Sequence, residues 1–224
     1  MCEMMNMPGS GKNGFKAEQF NYVQLPTPDS PKILGTFITI DPAFGMEAVH
    51  DNCGIVVHAI MDDGMTVVVD YRVGKFKEHE IFQICVAFSY LWTSWLWGIE
   101  SVAAQSVSLT LFAVYAIQDQ VHELLEMEKL TAGKHKSGRI QAWVSSMTKK
   151  VSGIPEADMT ITSQLLAYDP EAAKNDDDLI DSCAYQSQML DRYRGLILQR
   201  YVGNLNATND NEPEKFRHGA SICP

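Results

Sequence analysis

Paired metal-binding and disulfide motifs are absent from this sequence of 224 residues. Its five cysteines are an odd number and include no CxxC pair, and its six histidines form no HxH or HxxxH pair. These absences argue against a zinc site and against a disulfide framework. No basic segment followed by an apolar run opens the chain, so we expect a protein of a reducing cytoplasm.

Positive charge is also scarce. The chain has 18 Lys and Arg against 28 Asp and Glu, which gives a formal net charge of −10. Proteins that coat nucleic acid are usually basic, because neutralising phosphates dominates their affinity. The acidic balance therefore argues against a DNA-coating protein. It argues less against an enzyme that needs carboxylates to hold metal ions and that takes its DNA affinity from a partner domain.

Two further signatures are missing. No GxSxG nucleophile motif occurs, and the GSGK at residues 9–12 is not a phosphate-binding loop, because Asn6 and Asn13 stand where that motif needs Gly and Ser or Thr. Residues 81–99 carry no charge and could span a bilayer by length, but polar residues and three Trp interrupt them. We therefore expect a helix that ends near Trp95 and a buried strand after it.

The pattern along the chain predicts one domain with two ragged ends. Residues 1–30 are predicted to be a flexible arm or linker, residues 31–201 the folded domain, and residues 202–224 a tail. Strand patterns at 33–40, 54–60 and 66–71 predict an antiparallel meander. A helix at 77–91 and a short buried strand at 97–100 follow.

The second half predicts more helix. We expect a long helix at 106–130, a basic turn at 132–137, a helix at 140–150, a strand at 159–166 and a last helix at 177–199. Strands that alternate with helices after an initial meander indicate an α/β fold with a mixed sheet and helices on its faces.

Acidic residues stand at the ends of apolar elements. Asp41 directly follows one predicted strand, Glu100 ends another, and Asp178 and Asp181 share one face of the last predicted helix. Each acid alone could simply step out into solvent. If they converge, their oxygens suit Mg²⁺ or Mn²⁺, and two such ions can clamp a scissile phosphate.

Five segments give a resemblance to a known family. They are ITIDPAFG at 38–45, DNCGIVVHAIMDDGMTVVVDYRVG at 51–74, WGIESVAAQ at 97–105, KSGRIQAW at 136–143 and LAYDPEAAKNDDDLIDSCAYQ at 166–186. In this order and spacing they resemble the nuclease domain of tailed-bacteriophage terminase large subunits, in the ribonuclease-H-like superfamily. The likeness spans residues 32–190.

The resemblance implies a three-layer α/β/α fold whose mixed sheet starts with three antiparallel strands. It implies an endonuclease that cuts concatemeric double-stranded DNA with two Mg²⁺ or Mn²⁺ ions held by Asp41, Glu100, Asp178 and Asp181. Which of Asp178, Asp181 and Asp177 is the primary ligand stays open, because many terminases have His where Asp178 stands.

The implied partners are a terminase ATPase motor, a portal and a small terminase subunit, in the cytoplasm of an infected bacterial cell and without a membrane. Lys134, Lys136 and Arg139 are candidates for contact with the DNA backbone. Two alternatives remain: another ribonuclease-H-like nuclease, such as a junction resolvase or an integrase-like enzyme, and a non-catalytic docking domain of a packaging motor.

Overall fold

A seven-stranded mixed sheet organises the protein. The computed structural model describes residues 14–42, 52–101, 106–131, 136–156, 158–172 and 175–210, and gives the backbone alone for residues 101, 106–108 and 199–210. The strands are β1 (Tyr22–Val23), β2 (Ile33–Asp41), β3 (Cys53–Met61), β4 (Thr66–Gly74), β5 (Leu96–Ser101), β6 (Glu126–Thr131) and β7 (Ser152–Pro155). The helices are α1 (Glu78–Trp92), α2 (Ser106–Gln118), α3 (Lys136–Thr148), α4 (Met159–Ala167), α5 (Asp178–Ala184) and α6 (Gln186–Asp210), with a short 3-10 helix at Ala17–Gln19.

The strand order is β1-β7-β4-β3-β2-β5-β6. Strands β2, β3 and β4 pair antiparallel, whereas β5 runs parallel to β2, β6 parallel to β5, and β7 parallel to β4. The α/β class, the mixed sheet and the antiparallel meander are therefore confirmed. Because β2, β4, β5 and β6 run the same way, their carboxyl ends lie along one edge of the sheet.

Helices cover both faces of the sheet and give three layers. Helices α1 and α2 pack on one face in a core that includes Ile38, Ile40 and Trp97. Helices α3, α4 and α5 pack on the other face against Val56 and Val68, and α6 packs there against Phe37. Every residue of β3 is buried, as expected for a central strand covered on both sides.

The predicted long helix at 106–130 is wrong in its second half. Helix α2 ends at Gln118, and Gln120 has a φ of +59°. The N–H of Val121 then donates to the carbonyl of Ala116, which closes the helix with a Schellman-type bond. No glycine marks this end, so the sequence gives no stop signal, and β6 occupies the last part of the predicted helix.

The predicted strand at 159–166 is also wrong, because helix α4 occupies these residues. The Asp158 carboxylate accepts hydrogen bonds from the backbone N–H groups of Thr160 and Ile161, at 2.9 and 3.0 Å. This N-cap starts a helix in spite of the β-branched residues, and Ile161 and Leu165 then face the core one turn apart. The strand of this region is β7, which lies between the predicted helix at 140–150 and the predicted strand at 159–166.

Several helices and strands begin or end at residues other than those predicted. Lys136, placed in a basic turn, starts α3, and the predicted helix at 177–199 is two helices, α5 and α6. Strand β1 lies within residues 1–30 and pairs with β7, and α6 continues to Asp210, while the division into arm, domain and tail stays a prediction. Helix α1 ends at Trp92, and no helix in the described part of the chain is long and apolar enough to cross a membrane.

Candidate metal-binding site

Asp41 and Glu100 come together at the carboxyl edge of the sheet. Strands β2 and β5 are parallel neighbours, and Ile40 lies opposite Ile99 in their register. Asp41 and Glu100 each follow one residue later, so both point to the face opposite Ile40 and Ile99, which is the face that α5 and α6 cover. The strand ends thus place two carboxyl groups side by side.

The two carboxyl groups interact directly. Burial raises the pKa of Asp41 well above its ordinary range, and a hydrogen bond with the Glu100 carboxyl and the negative charges of Glu100 and Asp181 raise it further. A hydrogen bond between two carboxyl groups needs a proton. Without a cation, the pair therefore holds a proton where an exposed pair would hold none.

Asp181 is the acid of α5 that faces this pair. It is 2% exposed, and its negative charge acts on the Asp41 carboxyl. Arg139 on α3 binds it in a bidentate manner, because its Nε donates to one carboxylate oxygen at 2.9 Å and an Nη donates to the other at 2.8 Å. Burial raises the pKa of Asp181, while Lys136 and Arg139 act in the opposite direction.

Lys136 bridges two acids. Its Nζ lies 2.7 Å from a carboxylate oxygen of Asp177 and 3.4 Å from one of Asp181. Burial opposes its charge, but these carboxylates outweigh burial and raise the pKa of Lys136. Two cationic side chains from the start of α3 therefore neutralise the acids at the start of α5.

Asp178 lies to one side of this group. It accepts a hydrogen bond from the side-chain nitrogen of Asn52 at 3.3 Å, and burial raises its pKa, which Lys136 and Asn52 counteract. Besides burial, the largest influences on the pKa of Asp41 come from Glu100, Asp181 and Lys136. Of the two acids that the DxxD spacing left open, Asp181 has the larger effect on the Asp41–Glu100 pair, and the choice of primary metal ligand stays a prediction.

Tyr185, which sequence reasoning missed, lies beside the site at the C-terminal end of α5. The Arg139 guanidinium stacks over its ring at 4.0 Å, and burial together with the Glu100 charge raises the pKa of Tyr185. Its position four residues after Asp181 was a usable signal, because residues at this spacing share a helix face. Asn52 was missed as well, although it directly precedes β3 at the edge where Asp41 ends β2.

The predicted DNA-contacting residues lie in different situations. Lys136 and Arg139 contact the acids described above, and Lys134 lies outside the described residues. Their contact with DNA stays a prediction. Lys136 is partly exposed, with 40% of its side chain accessible, whereas only 9% of the Arg139 side chain is. Lys136 is thus the better placed of these two to reach a phosphate.

The donor set fits a divalent metal ion. Hard carboxylate oxygens are the ligands that Mg²⁺ and Mn²⁺ prefer, and a bound cation would favour the ionised form of Asp41, which burial and Glu100 disfavour. Within the ranges that the structure covers, no three His, Cys, Asp or Glu side chains already stand together in a ligating arrangement. The third carboxylate, Asp181, is held by Arg139 instead.

Comparisons with solved structures show the same architecture. The human cytomegalovirus terminase nuclease domain superposes with a TM-score of 0.56 at 13% sequence identity, over 80% of this chain and 95% of that one. The large terminase of a thermophilic bacteriophage superposes with a TM-score of 0.55 at 12% identity, over 79% of this chain and 43% of that one. The fold is ribonuclease-H-like.

In this chain, Asp41, Glu100 and Asp181 lie at one edge of the central sheet, where β2, β5 and α5 meet. The superposition covers less than half the length of the bacteriophage large terminase. No protein-family model matches the sequence, and no curated protein matches it either.

Proposed function

We propose that this chain is the endonuclease domain of a viral DNA-packaging terminase, which hydrolyses phosphodiester bonds of concatemeric double-stranded DNA with two Mg²⁺ or Mn²⁺ ions. The observation that carries the proposal is the meeting of Asp41, Glu100 and Asp181 at one sheet edge. The five terminase-like sequence segments and the superposition on terminase nuclease structures support it.

Asp41 and Glu100 would hold one ion between them, and Asp181, with Asp178 beside it, would complete the second position. Bound ions would supply an activated water on one side of the scissile phosphate and charge stabilisation for the leaving oxygen on the other. The rigid elements under these acids fix their separation. Asp41 and Glu100 sit on paired strands, and α5 packs directly against β2 and β3.

Lys136 and Arg139 would have different roles when metal ions are bound to the carboxylates. Arg139 is largely buried, forms a salt bridge with Asp181 and stacks on Tyr185, so it would continue to orient Asp181. Lys136 is partly exposed, and cations at the acids would take over its neutralising role. Its ammonium would then be free to approach a DNA phosphate at the rim of the site.

The net charge of −10 implies weak affinity for DNA by the domain alone. We propose that an ATPase motor holds the DNA, with the portal and the small terminase subunit as further partners. DNA contacts made by the isolated domain would rest on a few basic groups, so its cutting should fall steeply as salt rises.

The test is cleavage of supercoiled plasmid and of a synthetic four-way junction at low salt, each with Mg²⁺, with Mn²⁺ and with EDTA. The proposal expects metal-dependent nicking and linearisation of plasmid without preference for the junction. Selective cutting of the junction would instead indicate a resolvase. No cutting under any condition, also when the chain is joined to a packaging motor, would leave the docking-domain alternative.

A further inference from the structure

A buried histidine, His58, lies in the middle of β3 behind the candidate site. It is 0% exposed and stacks nearly flat on Phe37, with ring centroids 4.8 Å apart and an interplanar angle of 13°. Burial lowers the pKa of His58 to about 3, so its imidazole is neutral at ordinary pH. A neutral imidazole has one N–H donor and one acceptor nitrogen.

The hydrogen bonds of Thr39 fix which nitrogen of His58 carries the proton. The Thr39 hydroxyl donates to the backbone carbonyl of Ser182 at 2.8 Å, and Nε2 of His58 lies 2.8 Å from the same hydroxyl oxygen. A hydroxyl has a single hydrogen. Because that hydrogen is used on Ser182, Nε2–H of His58 must be the donor to Thr39.

The other side of the ring meets Gln186. Nδ1 of His58 and Oε1 of Gln186 are both buried without a hydrogen-bond partner among the residues described, while the Gln186 amide nitrogen contacts the Ser152 hydroxyl. Half a turn of the carboxamide exchanges its two ends. Its nitrogen then donates to Nδ1, its oxygen accepts from Ser152, and both orphan atoms are satisfied.

This chain of hydrogen bonds ends on the elements that carry the acids. Thr39 lies two residues before Asp41 on β2, and Ser182 directly follows Asp181 on α5. A second bond ties the same helix to β3, because the Ser182 hydroxyl donates to the Gly54 carbonyl at 2.9 Å. The Thr39–Ser182 bond therefore links the strand of Asp41 to the helix of Asp181.

We propose that His58 is a positioning residue that, by holding the Thr39 hydroxyl on the Ser182 carbonyl, sets the separation of Asp41 and Asp181 for metal binding. The inference rests on the proposed function, because that function supplies the metal ion. It goes further by assigning a role to His58. Within the described residues, His58 makes its hydrogen bond to Thr39 and stacks on Phe37, and it has no hydrogen bond to Asp41, Glu100 or Asp181. Its effect is on geometry, through Thr39 and Ser182, and does not need its own titration.

The test compares Mn²⁺ affinity, measured by calorimetry or by electron paramagnetic resonance, in the full chain. His58→Phe keeps the ring and its stacking on Phe37 but removes the donor, so we expect about tenfold weaker binding, the lower end of the effect of removing a supporting partner. His58→Gln carries its amide nitrogen as many bonds from Cβ as Nε2 of histidine, so it should restore most of the affinity.

The matched control is Val57→Ala. Val57 is the buried neighbour of His58 on β3 and packs on the opposite face, in the α1 and α2 core. It should lower the midpoint of unfolding and leave Mn²⁺ affinity unchanged. Equal weakening by the control, parental affinity in His58→Phe, or no recovery in His58→Gln would each overturn the inference.

A metal-free readout separates this inference from the proposed function. In EDTA, exchange with solvent should speed up more for the amides of α5 than for those of α1 in His58→Phe, whereas Val57→Ala should not speed exchange in α5 more than in α1. If the parent chain binds no Mn²⁺, the proposed function fails, and exchange in α5 still decides the role of His58. Unchanged exchange in α5 of His58→Phe would contradict the inference.

Discussion

Asp41 and Glu100 lie side by side, each one residue beyond the register pair Ile40 and Ile99 at the ends of two parallel strands. Burial and the Glu100 carboxyl raise the pKa of Asp41, so the metal-free fold favours the protonated form of this carboxyl. A bound cation would be attracted by the ionised form of this pair. Without a cation, ionising Asp41 costs free energy of unfolding, which can be measured.

The first consequence concerns pH. Since the pKa of Asp41 is raised, the folded chain keeps a proton that the unfolded chain has lost, so this stabilisation is complete below the ordinary Asp range and is lost as pH rises toward the raised pKa. Asp41→Asn should be more stable than the parent in EDTA at pH 7, because the amide is uncharged and avoids the cost of ionising a buried carboxyl beside Glu100. Urea unfolding across pH 4–8 (roughly the window from the ordinary range upward) measures it, with Asp62→Asn in the β3–β4 turn as the control. A parent that gains stability over this window relative to Asp41→Asn would contradict the pairing.

Arg139 should be important for folding. Arg139→Gln leaves the nearly buried Asp181 without its bidentate partner, and we expect a loss of about 3–5 kcal/mol in the free energy of unfolding in EDTA. Arg72→Gln is the control, because Arg72 is exposed and its bond to Asp70 is 3.4 Å long, so the loss should stay below about 1 kcal/mol. Similar losses in the two variants would show that the buried pair contributes no more than a surface pair.

Gly54 allows the close approach of β3 to α5. A Cβ at this position would lie 2.5 Å from Oγ of Ser182 and 2.7 Å from the backbone oxygen of Asp178. Gly54→Ala should therefore push α5 away and destabilise the fold by about 1–3 kcal/mol, as overpacking does. Gly195→Ala on α6 meets no atom within 4 Å and should be neutral or stabilising by about 0.5–1 kcal/mol. Thermal or urea unfolding of both variants checks the contrast, and a harmless Gly54→Ala would argue against tight contact between α5 and the sheet.

His58 gives a second pH effect of opposite sign. The pKa of His58 is about 3 in the folded chain and about 6.5 when unfolded, so the stability that it contributes is present above pH 6.5 and is lost as pH falls below it. Between these values His58→Gln should lose stability less steeply than the parent, by up to about 1.4 kcal/mol per pH unit. Parallel stability profiles for the two proteins would show that His58 binds its proton equally in the folded and unfolded chains, so that folding does not lower its pKa.

The sequence predicted the parts of this account that depend on strand ends. Asp41 and Glu100 each follow an apolar strand, and the carboxyl ends of parallel strands meet at one edge, so their pairing was open to inference from order alone. The spacing of Asp178 and Asp181 placed both on one helix face, but the choice between them depends on how α5 is rotated against the sheet. That rotation depends on the contacts of α5 with Gly54 and Arg139, which lie far from α5 in the sequence.

The two main errors have local physical causes. Gln120 takes a positive φ just beyond the end of α2, where glycine is the usual signal. Without glycine the apolar pattern runs on, and the helix that ends at Gln118 was predicted to reach residue 130. The second error has another cause, because the capping of α4 by Asp158 outweighed the strand preference of the residues that follow it.

The most direct test of the central claim is Mn²⁺-dependent conversion of supercoiled plasmid by Asp41→Asn and Glu100→Gln, beside the parent chain and Asp62→Asn. The account predicts cutting by the parent and by Asp62→Asn, abolished by EDTA, and no cutting above the EDTA background by either site variant. Because Asp41→Asn should fold at least as well as the parent, its inactivity cannot be attributed to unfolding. Cutting by Asp41→Asn or Glu100→Gln at the parental rate would contradict the claim that these two carboxylates form the active site.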